Sequence, residues 1–183
     1  MFKPLAQYLK QEVVPRWKKV LVTWESAISA LVVYLFAKYG THLFSASPRV
    51  SDIVTGVAAY AAIALGFCIA GLTISLTLPN ETFAAKLSET TVGGGNAYSA
   101  LLFVFSWTAI AHWCAVVTMF AIALFSDGAS PLLPPDSSIT RVWLVSLAAG
   151  LLAYCLCQFL ITIITLSQVG GVYIKFLTSK VKS

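Results

Sequence analysis

Residues 142–174 read VWLVSLAAGLLAYCLCQFLITIITLSQVGGVYI, a stretch without one acidic or basic side chain. Hydrocarbon offers no water to backbone N–H and C=O groups, so a segment that crosses it closes those bonds within itself, as a helix of about 20 apolar residues. This stretch is long enough to do so. Two further charge-free runs, 53–78 and 92–126, meet the same condition. A weaker one covers 26–44, with Glu25 at its start and Lys38 near its far end, where a long lysine stem lets the ammonium reach the headgroups. The pattern predicts an all-α polytopic membrane protein with four transmembrane helices, at about 26–44, 53–78, 98–126 and 142–168.

Composition agrees. The 183 residues are 58% hydrophobic and 10% charged, with a mean hydropathy of +0.85. A water-soluble domain is nearer half apolar and about a quarter charged. Four spans and their connections use nearly the whole chain, which leaves no separate soluble catalytic domain, and no fixed-period repeat is visible. The organisation expected is a basic amphipathic segment over 1–19, a transmembrane domain over 20–174 and a basic cytoplasmic tail over 175–183.

The net charge of +5 belongs to residues that flank spans, so it points to membrane orientation and not to direct nucleic-acid binding. Of the twelve Lys and Arg, Lys3, Lys10, Arg16, Lys18, Lys19, Lys86, Lys175, Lys180 and Lys182 fall on one side, against Lys38, Arg49 and Arg141 on the other. Because cytoplasmic loops carry the excess of basic residues, both termini and the 79–97 loop are expected in the cytoplasm of a bacterial inner membrane. Trp17, Trp24, Tyr39, Trp143 and Tyr173 lie near the interfaces, as an aromatic belt would place them.

Pro4 followed by Leu5, Tyr8, Leu9 and Val13 reads as a short interfacial amphipathic helix over 4–14, which Pro15 separates from the first span. In the inner loop Asn80 is a candidate cap for a short helix with Phe83 and Leu87 at i and i+4, and Gly93-Gly94-Gly95 reads as a hinge. Pro131, Pro134 and Pro135 predict an extended, stiff outer loop over 127–141.

Ala58, Ala62, Gly66 and Ala70 repeat every four residues and give one helix face without bulky side chains, suited to close helix packing or to contact between subunits. Ser146 with Gly150, and Ala149 with Ala153 and Cys157, form a less regular second case. Polar groups in lipid are costly without partners, so Gln158, Thr162 and Thr165, one stripe on the fourth span, are candidates for a wet path or for contact between helices. His112, one turn after Thr108, is an ionisable group in mid-span; it reads as a proton-sensing residue or as a neutral, hydrogen-bonded one. Phe83 and Leu87 form an apolar ridge that could dock a soluble protein or rest on lipid.

Other motifs carry less. Gly93-Gly94-Gly95-Asn96 is not followed by the Lys-Ser/Thr of a phosphate-cradling loop. Asn80-Glu81-Thr82 matches a glycosylation sequon on the side where it would not be used. Cys155-Leu156-Cys157 has one intervening residue, unlike a redox pair, and the cysteines at 68, 114, 155 and 157 lie in apolar runs, so no disulfide is expected. No ligand-like set supports a metal, and no Ser/His/Asp set assembles, so neither a cofactor nor catalysis is expected.

In length, span count, cytoplasmic termini and absence of an enzymatic domain, the whole chain resembles the small four-span membrane proteins of bacterial anti-phage defence, above all the membrane subunit of the Kiwa system. The resemblance is one of architecture and carries no residue roles. It implies a homo-oligomer, with a tetramer favoured, that senses phage-induced disturbance of the envelope and holds a cytosolic DNA-binding partner at the membrane. The function expected is therefore that of a non-enzymatic membrane sensor and scaffold. A small ion channel or pore-forming effector is the alternative, followed by a small transporter, for which only His112 offers a midplane site.

Overall fold

The computed structural model describes residues 23–46, 48–77, 81–92 and 95–181. The expected amphipathic helix over 4–14 and the proposed Asn80 cap lie outside these residues. The described elements are α1 (Trp24–Leu43), α2 (Val50–Leu76), α3 (Glu81–Glu89), β1 (Thr91–Val92), β2 (Gly95–Asn96), α4 (Ala97–Leu124) and α5 (Ile139–Val181). They build two compact units, one from residues up to Val54 with Met119–Tyr154, the other from Thr55–Thr118 with Cys155 onward.

Three of these helices are long and apolar enough to cross a membrane: Val50–Leu76, Ala97–Leu124 and, within α5, Ile139–Thr178. Between 22% and 33% of their most apolar windows is buried inside the chain. Much of the remaining apolar surface is partly or fully exposed among the described residues, with large side chains such as Ile63, Phe120, Leu144 and Ile164 on it. That is the distribution expected where lipid is the solvent. The helix α1 has 20 residues but does not reach the apolarity of the other three.

In the first unit, the proline-containing loop over 127–138 is folded and not extended. The first N–H groups of an α-helix have no intrahelical acceptors. For α2 the loop supplies them: Val50 N–H donates to Ser130 C=O (3.1 Å) and Ser51 N–H to Gly128 C=O (3.1 Å). Arg49 pairs with Pro131 as an isolated antiparallel bridge, and Leu132 N–H donates to Pro48 C=O (3.1 Å). Arg141, in the first turn of α5, clamps the same loop by donating from Nε to Leu132 C=O (3.3 Å) and from Nη2 to Pro131 C=O (3.0 Å). Leu132 and Leu133 are thereby buried with Val50 and Val145, against Phe36, Phe44 and Ile53. A polyproline reading fails here because the two leucines between the prolines gain more from burial than from extension. Ser29 of α1 donates to Gly150 C=O of α5 (2.8 Å), and a Cβ on Gly150 would run into Val33 Cγ2. Gly150 is thus a point of close helix approach.

In the second unit, Cys68, Leu101 and Phe105 form a core with Phe67, Leu72 and Leu166. A Cβ on Gly71 would run into the Phe105 ring. Residues 91–92 and 95–96 form a two-stranded antiparallel ladder, Thr91 opposite Asn96 and Val92 opposite Gly95; Gly93 and Gly94 of the expected hinge lie outside the described residues. Asn96 Oδ1 then accepts from Ser99 N–H (2.6 Å) and caps α4. The helix α5 continues to Val181, so residues 175–181, expected as a basic tail, are helical.

Candidate functional site

The site is a chain of buried polar groups within the second unit, where a side-chain hydrogen bond has no competing water. His112 sits on α4 with Thr108 one turn before it, and both are fully buried. His112 Nδ1 lies 2.7 Å from Thr108 C=O. A carbonyl accepts only, so Nδ1 carries the hydrogen. In the neutral ring Nε2 then accepts, and its partner is the Tyr60 hydroxyl of α2, at 2.9 Å. The same reasoning orders the hydroxyls. Thr162 of α5 donates to Gln158 C=O (2.8 Å), which uses its one hydrogen, so across the 2.8 Å contact Thr108 Oγ1 donates and Thr162 Oγ1 accepts. Tyr60 therefore ties α2 to α4, and Thr108 ties α4 to α5.

Phe159 closes the group from α5. Its ring stands edge-on to Tyr60 at 6.2 Å, to His112 at 6.1 Å and to Phe67 at 5.4 Å between centroids. These are the separations at which edge-to-face pairs are attractive. Each polar hydrogen in the group has an acceptor, and aromatic faces fill the space around it. Chemically, such an arrangement positions three helices against one another. Among the described residues, no three His, Cys, Asp or Glu side chains converge in a group that could hold a metal ion.

The remaining sequence candidates separate into distinct places. On the polar stripe Gln158 and Thr162 are buried, Thr165 is half-buried and Gln168 is exposed, so the stripe turns outward along α5. On α2, Ala58 is half-buried while Ala62, Gly66 and Ala70 are exposed; a Cβ on Gly66 would meet nothing within 4 Å. The small-residue face is consequently not used for packing at Gly66 within the chain. Phe83 and Leu87 do not form an exposed ridge. Phe83 is fully buried, 4.9 Å from the Tyr173 ring and 5.5 Å from the Phe176 ring between centroids, and Leu87 is buried beside it. Two aromatic side chains at i and i+3 on α5 offered a seat that the short α3 alone could not reveal.

Two polar residues carried weaker signals, Tyr60 within this group and Glu25 apart from it in the first unit. Tyr60 is the one hydroxyl between Thr55 and Thr73 of α2, an isolated polar group in a run of alanines. Glu25 is buried in the first turn of α1, and among the described residues its Oε2 has no hydrogen-bond partner. A carboxylate near a helix start is favoured by the dipole, which makes it read as a surface cap. Comparison with known proteins found no matching protein-family model, curated protein or solved structure.

Proposed function

We propose that this is a four-span inner-membrane protein, both termini cytoplasmic, that works by assembling with itself and with a cytosolic protein and not by catalysis. The observation that carries the reading is the face of α2. Ala62, Gly66 and Ala70 form a regular row of small residues that permits close helix approach, yet they are exposed among the described residues. A second copy of the chain is the partner that such a face suits.

The fourth span in this reading is α1. Its 20 residues rise about 30 Å, the thickness of the hydrocarbon. Trp24, Leu31, Leu35 and Leu43 expose apolar surface along it, which lipid would cover. The resemblance to the Kiwa membrane subunit supports a tetrameric sensor and scaffold in anti-phage defence. With Phe83 and Leu87 committed inside the chain, docking of a soluble partner falls to the exposed side of α3, where Glu81, Lys86 and Glu89 lie. The channel reading has less support, because His112 and Thr162 are spent on hydrogen bonds between helices.

The test is the mass of the purified protein in detergent, with Gly66→Leu beside the wild type. Wild type should run as an oligomer and the variant as smaller species, with a soluble host protein co-purifying with the wild type. A monomeric wild type would sink the assembly. No co-purifying soluble protein would remove the scaffold role and put the channel reading first.

A further inference from the structure

The contact of α3 with the end of α5 leaves a cleft of about 230 Å³ beside Phe83. Its apolar wall is made by Phe83, Leu87, Val172 and Phe176, and its polar rim by Thr90 with Lys86 and Lys175. The two lysines come from different elements. Lys86 Nζ stands 5.6 Å from the Phe176 ring centroid, so the ammonium is held over the apolar wall by a cation–π contact. Among the described residues neither lysine has a carboxylate partner, and Glu81 and Glu89, on the same helix as Lys86, do not line the cleft. Lys175 is also the first charged residue after the uncharged run 142–174. That places the cleft where an apolar helix segment ends, at the depth of lipid headgroups.

We propose that this cleft binds the phosphate headgroup of an anionic phospholipid. Lys86 and Lys175 take the phosphate between them, and the phenylalanine and valine wall takes the first carbons of the glycerol and acyl region. The chemistry of the rim fits any phosphate monoester or diester. The apolar wall, and the position at the end of a spanning segment, select a lipid over a soluble phosphate. Basic pockets beside membrane helices recognise acidic headgroups in this way. The cleft is smaller than the roughly 300–1,000 Å³ that encloses a drug-sized ligand, so it suits a headgroup and not a whole lipid. The proposal needs only that α3 and the end of α5 lie at the membrane boundary; it does not depend on oligomer formation or on a protein partner.

Native mass spectrometry of the purified protein, titrated with phosphatidylglycerol and with phosphatidylcholine of equal chain length, tests it. Wild type should bind phosphatidylglycerol preferentially. Each lysine near a phosphate is worth about fivefold in affinity, so K86Q/K175Q should lose about thirtyfold for phosphatidylglycerol and little for phosphatidylcholine. K86R/K175R should keep the preference, and K38Q, a lysine over the rings of Tyr34 and Tyr39, should match the wild type. Both cleft lysines are exposed, so their replacement leaves the fold intact. Equal binding of the two lipids by wild type overturns the proposal, as does a preference retained in K86Q/K175Q. A loss in K38Q as large as in the cleft variant would mean general charge attraction and no site. If glycerol 3-phosphate displaces the lipid at equimolar concentration, the ligand is a soluble phosphate and the lipid assignment falls.

Discussion

At Tyr60 a phenol oxygen, the one hydroxyl between Thr55 and Thr73 of its helix, reaches 2.9 Å to His112 Nε2. Replacing it by phenylalanine keeps the ring against Phe159 but leaves Nε2 of a fully buried imidazole without a donor. Hydrogen bonds between membrane helices average about 0.6 kcal/mol, and an orphaned buried acceptor costs more. Tyr60→Phe should therefore lower stability by about 1 kcal/mol, read as the unfolding midpoint in mixed detergent. An unchanged midpoint would show that His112 finds another donor. The residues of this group were partly legible in the sequence. Thr108, His112, Gln158 and Thr162 stand out because polar side chains are rare in apolar runs. Tyr60 does not, since a tyrosine beside a membrane segment is equally at home in an interfacial belt, and periodicity does not give depth. Glu25 was legible as a first-turn carboxylate but not as a buried one.

Along α2 the two kinds of glycine behave oppositely. Gly71 faces Phe105 so closely that a methyl group would overlap the ring, whereas Gly66 faces open space. Gly71→Ala should cost about 1–3 kcal/mol, as overpacking does. Thermal unfolding in detergent checks this: a drop in midpoint of several degrees is expected, and none would mean that Phe105 turns aside freely. The spacing of small residues revealed that α2 has a flat face, but the sequence places no partner on either side, so which glycine is in contact was not legible. The same limit applies at α5. Its apolar run was plain, but its end was not: Gly170 and Gly171 each disfavour helix by about 1 kcal/mol. The seat of Phe83 on Tyr173 and Phe176 offsets that cost from outside the helix. The proline-containing loop hid its fold for a related reason. Its prolines announce an irregular segment, while the bonds that shape it go to the start of α2 and to Arg141, elements distant in sequence.

For the whole molecule, the helical class and three of the spans follow from the uncharged runs alone, because lipid imposes one solution on the backbone. The fourth span and the orientation rest on charge asymmetry and on the length of α1. Reporter fusions at Ser47, Asn80, Ser130 and Ser183 should read outside, inside, outside, inside. An external signal at Ser183 would remove one crossing or invert the chain. One consequence of the length of α5 reaches from the interior to the membrane surface. Gln158 and Phe176 are about five helical turns apart and share one line, and Thr162 and Tyr173 stand about 40° and 60° round from it, so all four fall on one side, within about 30° of a common line on the helix. The side that meets Thr108 is thus the side that seats Phe83. The helix behaves as a keyed shaft. Any rotation that draws Thr162 away from Thr108 turns Tyr173 and Phe176 against Phe83, and Lys175 relative to Lys86, by the same angle, so the interior hydrogen bonds and the surface cleft are set by a single angular index.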